Sequence, residues 1–115
     1  MDKEVKKRMA FYIRMIRLMR GLTQQDVADK LKKTTNAVSN WELGNTSPPI
    51  DDLVKLCKMF ECTPNQICGW DDFPELTDYI SKTERAGEIL VELKKQRSLL
   101  DDQIKQYKEL MNRKH

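Results

Sequence analysis

Apolar residues in this chain recur at spacings of three and four, and nowhere do they alternate with polar ones in the period of two that a half-buried strand requires. The regularity restricts the fold to packed helices. A first helix is expected from Lys3 to Arg20. Val5, Met9, Tyr12, Ile13 and Ile16 form its stripe, Lys6, Lys7, Arg14 and Arg20 its other face, and Gly21 its stop. Thr23 is placed to cap a second helix, with Asp26 in its first turn and Val27, Ala28 and Leu31 facing inward. After the polar turn Lys32-Lys33, Thr34 caps a third helix that buries Val38 and Trp41 and stops at Gly44. Pro48-Pro49 leads into a fourth helix, with Asp51 and Asp52 in its first turn and a stripe of Ile50, Leu53, Val54, Cys57 and Phe60. Thr63-Pro64-Asn65-Gln66 reads as a capping box with Pro at the first helical position, opening a short fifth helix through Ile67. The compact unit is expected to close at Gly69.

Beyond Gly69 the pattern changes. Residues 70–80 mix acids with Trp70, Phe73, Leu76, Tyr79 and Ile80, a connector too apolar to be a free linker and expected to pack onto something. Ser81 and Glu84 have capping-box spacing, and from there the chain holds no proline and one glycine, Gly87, so residues 81–115 are expected to form one long helix. A heptad over it puts Leu90, Arg97, Ile104 and Met111 at a, and Ala86, Leu93, Leu100 and Tyr107 at d, with Arg97 the one break in an apolar seam. A helix of about 30 residues is about 45 Å long, against a radius of gyration of about 11 Å for the preceding unit, so the seam is expected to pair with a second copy as a coiled coil. The expected class is therefore all-α: five helices over residues 1–69, the connector, and a long dimerising helix.

Several functions are poorly served by this composition. No run approaches the roughly 20 apolar residues of a spanning helix, and Arg14, Arg17 and Arg20 interrupt the apolar start, unlike a signal peptide, so a cytoplasmic location without membrane contact is expected. Three cysteines, Cys57, Cys62 and Cys68, form no Cys-x-x-Cys pair and suit reduced thiols. His115 is the one histidine and stands at the end of the chain, a poor place for a metal ligand or a catalytic base. Gly21, Gly44, Gly69 and Gly87 lie too far apart for a phosphate loop. No metal, cofactor, small-molecule ligand or enzymatic activity is expected. Up to Gly69 the chain has twelve Lys and Arg against eight Asp and Glu, a surplus absent from the rest, which hints that the front meets a polyanion.

The stretch from Leu22 to Ile67 resembles the helix-turn-helix domain of phage and bacterial repressors of the Xre/Cro type, over about residues 9–68. Gly21-Leu22-Thr23-Gln24, Ala28, Leu31, Val38-Ser39, Trp41-Glu42, Gly44, Pro48 and Leu53 carry the resemblance. It departs from the family at Lys32, where the turn often has Gly, at Lys33, where an apolar residue usually follows, and at Glu61, where Gly often ends helix four. A non-glycine residue at positive φ is uncommon, which leaves the geometry of the turn open.

The resemblance implies double-stranded DNA as the partner, with helix three as the reader. A helix about 10–12 Å across fits the major groove, about 12 Å wide. Thr35, Asn36, Ala37 and Asn40 are then the expected base-reading residues, because Asn can pair with adenine and the Thr and Ala methyl groups can touch that of thymine. Gln24 matches a position where the family contacts a phosphate. Lys32, Lys33, Thr34, Asn45 and Thr46, with Ser47 beside them, are further phosphate candidates. Arg17 and Glu42 match positions that pair helix one with helix three, Trp41 is expected in the core, and Cys62 matches a usually apolar core site. The implied function is a transcriptional regulator, a repressor occupying a palindromic operator as a homodimer. The alternative is a protein-interaction module, antitoxin-like or an anti-repressor partner, with DNA binding secondary.

Overall fold

The computed structural model describes residues 2–83 together with Gln106 and Glu109. Residues 2–83 hold six helices and no strand: α1 (Lys3–Met19), α2 (Gln24–Leu31), α3 (Thr35–Leu43), α4 (Ile50–Phe60), α5 (Pro64–Ile67) and α6 (Pro74–Ser81). The proposed long helix, with its seam from Ala86 to Met111, lies outside the described residues. One compact unit ends at Leu76 and a second begins at Thr77.

Each of the first five helices opens close to where its chemistry places it. The Asp2 carboxylate accepts from the Glu4 N–H at 2.8 Å. Thr23 and Asp26 bond reciprocally, the Thr23 hydroxyl accepting from Asp26 N at 3.0 Å and the Asp26 carboxylate from Thr23 N at 2.8 Å. The Thr23 N–H, and after it the hydroxyl, hold the Asp26 carboxyl below its ordinary range. Thr34 caps α3, and Thr63 and Gln66 form the same reciprocal box on α5. Pro49 is the cap of α4 and makes no side-chain bond there.

The helix ends share a second device. Gly21, Lys32, Gly44, Glu61 and Gly69 all have φ between 53° and 79°. In each case the next N–H closes on a carbonyl five residues back: Leu22 on Arg17 at 3.1 Å, Lys33 on Ala28 at 2.9 Å, Asn45 on Asn40 at 3.0 Å, Cys62 on Cys57 at 3.0 Å, Trp70 on Asn65 at 2.8 Å. Lys32 and Glu61 thus take the left-handed conformation without being glycine, at a cost of about 1–2 kcal/mol each. The turn between α2 and α3 keeps the glycine-type geometry, and α3 begins directly after its Thr34 cap.

In the first unit α1 packs on α3 and α5, and α2 packs on α3 and α4. Ile13, Ile16, Val27, Ala28, Val38, Leu56, Phe60 and Ile67 are sealed from solvent, and Trp41 is buried with them. Helix α4 corrects the sequence reading. Its inward face is Asp52, Leu56, Cys57 and Phe60, Leu53 is half-buried, and Ile50 and Val54 are exposed. Asp52 stands in the first turn as expected but is buried, with the Lys33 ammonium 3.3 Å from its carboxylate. The connector also differs: it is helical from Pro74, with Phe73 and Leu76 buried, while Trp70 is exposed. Arg20 ties this region together, donating to the carbonyls of Phe60 at 2.8 Å and Glu61 at 3.4 Å and to the Glu75 carboxylate.

The second unit begins inside α6, where Lys82 pairs with Asp78 at 2.8 Å and Ile80 is buried. Ser81 ends α6, its hydroxyl donating to the Asp78 carbonyl at 2.7 Å. Ser81 is thus the last residue of α6. Its expected partner Glu84 is outside the described residues.

Two glycines at similar φ separate conformational strain from crowding. A Cβ on Gly69 would overlap the Tyr12 ring and come within 3.0 Å of the Arg8 side chain, whereas one on Gly21 meets nothing within 4 Å. Gly21→Ala should therefore lose about 1 kcal/mol for its backbone alone, and Gly69→Ala about 2–4 kcal/mol, measured by urea unfolding.

Candidate nucleic-acid interface

The third helix is held from beneath by one buried carboxylate. The Arg17 guanidinium on α1 grips Glu42 on α3 with two parallel bonds, Nε to Oε2 at 2.6 Å and Nη2 to Oε1 at 3.0 Å. Its Nη1 donates to the Leu22 carbonyl at 2.8 Å, and Gln24 Nε2 at the start of α2 donates to Glu42 Oε1 at 3.1 Å. The two side chains are only 10% and 3% exposed, so the geometry is fixed in a medium where such bonds are strong. Three helices are registered on a single acceptor group.

The opposite side of α3 faces outward. Thr34 is exposed and accepts from Ala37 N at 3.1 Å. Thr35 is half-buried, its hydroxyl donating to Gln25 Oε1 at 2.6 Å, and Gln25 in turn donates to Asp29 at 2.6 Å. Asn36 is exposed, and among the described residues its side chain makes no hydrogen bond. Ala37 and Asn40 are half-buried, and Asn40 Oδ1 accepts from the Asn45 amide at 3.2 Å. Glu42 is the one charged residue of α3, and it is turned inward, so this face carries no charge of its own. Lys32, Asn45 and Thr46 are exposed at its margins. Gln24 is half-buried with its amide on Glu42, and Lys33 has its ammonium 3.3 Å from Asp52.

Three residues escaped the sequence reading. Gln25 tethers Thr35, Leu43 is 69% exposed on the same side of α3 as Asn36 and Asn40, and Asp52 is the buried partner of Lys33. Leu43 could have been found from its spacing of three beyond Asn40 and seven beyond Asn36. The other two depend on contacts between helices and leave no local trace.

The cysteines belong to the packing. Burial pushes the Cys62 thiol up to about 12 and shifts Cys57 and Cys68 in the same direction, so all three stay protonated at neutral pH. No group of three or more metal-ligating side chains occurs among the described residues.

A helix-turn-helix family model matches residues 13–67. Those residues form an Xre-type helix-turn-helix domain. The chain is also 33% identical over 82 residues to the HTH-type transcriptional regulator ImmR of Bacillus subtilis (strain 168). That match covers 70% of this chain and 63% of the length of the relative. No solved structure matches the chain. Among the described residues, no helix is long and apolar enough to cross a membrane.

The buried pair makes the helix-turn-helix domain sensitive to loss of either partner. Arg17→Met or Glu42→Leu alone should destabilise it by about 3–5 kcal/mol in urea unfolding, because a charge is left buried and unpaired. The double variant should lose clearly less than either single one.

Proposed function

We propose that this chain is a sequence-specific double-stranded DNA-binding transcriptional regulator, a repressor that occupies a palindromic operator as a dimer and catalyses no reaction. The observation that carries this reading is the outward face of α3: uncharged, presenting the exposed Asn36 amide, and backed by the Arg17–Glu42 pair. A rigid helix of this kind suits the major groove, where base edges differ in donors, acceptors and methyl groups. Asn36 and Asn40 would pair with adenine, Asn40 exchanging its bond to Asn45, while Thr35 and Ala37 meet thymine methyl groups. Lys32, Thr34, Asn45, Thr46 and the Gln24 end of α2 would hold the phosphates and fix the register. The match to a relative named as a transcriptional regulator supports the same reading.

The dimer would form along Ala86, Leu90, Leu93, Arg97, Leu100, Ile104, Tyr107 and Met111. Two such domains would read half-sites about 34 Å apart, one turn of duplex.

On an operator selected from a random DNA pool, affinity should fall linearly with salt on logarithmic axes, as counterions are released. Binding indifferent to salt would favour a protein partner instead. Asn36→Ala should lose about 1–3 kcal/mol on that operator and little on random DNA, whereas Gln24→Ala should weaken both alike. Equal losses on both DNAs would remove Asn36 from the readers. A chain truncated after Ser81 should sediment as a monomer, and a dimer would refute the role given to the tail.

A further inference from the structure

One ion pair of the domain joins the turn before α3 to the first turn of α4. Lys33, in the turn directly before the Thr34 cap of α3, places its Nζ 3.3 Å from Asp52 Oδ2 on α4. The two ends are unequal. The Lys33 side chain is 41% exposed, whereas that of Asp52 is 4% exposed and its Oδ2 has no hydrogen-bond partner. Asp52 stands in the first turn of α4, where the helix dipole favours an anion, yet α4 has no side-chain cap bond. Among the described residues, the Lys33 ammonium is the one cation within ion-pairing distance of that carboxylate.

The backbone explains how a lysine can serve there. Lys33 follows the left-handed Lys32 and closes on the Ala28 carbonyl, a position from which an apolar side chain ordinarily packs back on its own helix. A lysine stem can occupy such a place with methylenes and still carry its charge outward. Here the charge goes to Asp52. An ammonium spent in this way is not available to a phosphate, and the carboxylate it neutralises would otherwise be an unpaired negative charge next to the turn that leads into the reading helix, repelling a polyanion.

We infer that Lys33 is the internal counter-ion of Asp52, a positioning residue that fastens the turn to α4 and screens the carboxylate from DNA, and not a phosphate contact. The screening half of this role rests on the DNA-binding reading above, and the fastening half does not.

The test uses the full chain as Lys33→Met, Asp52→Asn and the double variant, measured by urea unfolding and by operator binding between 50 and 200 mM salt, a range over which phosphate contacts register strongly. In unfolding, Lys33→Met should lower the folding constant about tenfold or more, Asp52→Asn less, and the double variant should recover most of the loss. Additive losses would overturn the pairing. In binding, Lys33→Met should weaken the complex, while the double variant, again locally neutral, should bind within about threefold of the parent with an unchanged salt slope. A double variant as weak as Lys33→Met, with a slope shallower by about 0.9, would make Lys33 a phosphate contact after all. If Lys33→Met fails to fold, the parent, Asp52→Asn and the double variant still decide the binding arm. A parent that binds no DNA would end the functional reading and the screening role, with the unfolding arm left to judge the fastening.

Discussion

The Arg17–Glu42 pair is the interaction on which the remaining geometry rests, because it converts three separate helices into one mounting. Glu42 accepts two bonds from α1 and one from α2 while belonging to α3, so a shift of the reading helix would break charged, part-buried bonds at once. A buried ion pair is not in itself a strong source of stability, since removing two charges from water offsets much of their attraction. What it supplies here is a narrow choice of arrangement. A bidentate fork tolerates little rotation, and the orientation of Asn36 and Asn40 follows from it.

Arg20, which caps the C-terminal end of α1, ties down the end of α4 in a similar way. Its bonds to the Phe60 and Glu61 carbonyls finish the end of α4, and its bond to Glu75 draws in the first turn of α6. Sequence reading puts Arg20 with Lys6, Lys7 and Arg14 on the face of the first helix away from its apolar stripe, and names no partner for it. The guanidinium found carbonyls left open by a helix end about 40 residues away, which no periodicity could announce.

That contrast marks which parts were legible. Thr23, Thr34 and Thr63 were readable as caps because an N-cap is chemistry among residues three apart. Val38 and Trp41 were readable as core because helical spacing alone puts them on one side. The first-turn place of Asp52 was legible but its burial was not, and Ile50 and Val54 on the same helix were misread as inward, because which face of α4 is covered depends on contacts with other elements, a lysine in another turn among them. The connector showed its apolar content but not its helix, although Pro74 stands at the first position of α6. The Arg17–Glu42 pairing came from family resemblance and not from spacing, since those residues lie 25 apart. Lys32 and Glu61 show that a left-handed corner can be imposed from outside: the surrounding bonds over-determine it, and a residue ill suited to it complies.

Those corners bear on how the chain reaches its fold. Each of five reversals is closed by a bond spanning six residues, so the direction in which one helix leaves the last is settled without distant partners. The loops to be closed are short and their entropic penalty is small, which leaves docking of already oriented segments as the main search. Helical topologies of this local kind assemble in about microseconds to milliseconds, a pace at which little apolar surface stays open long enough to aggregate.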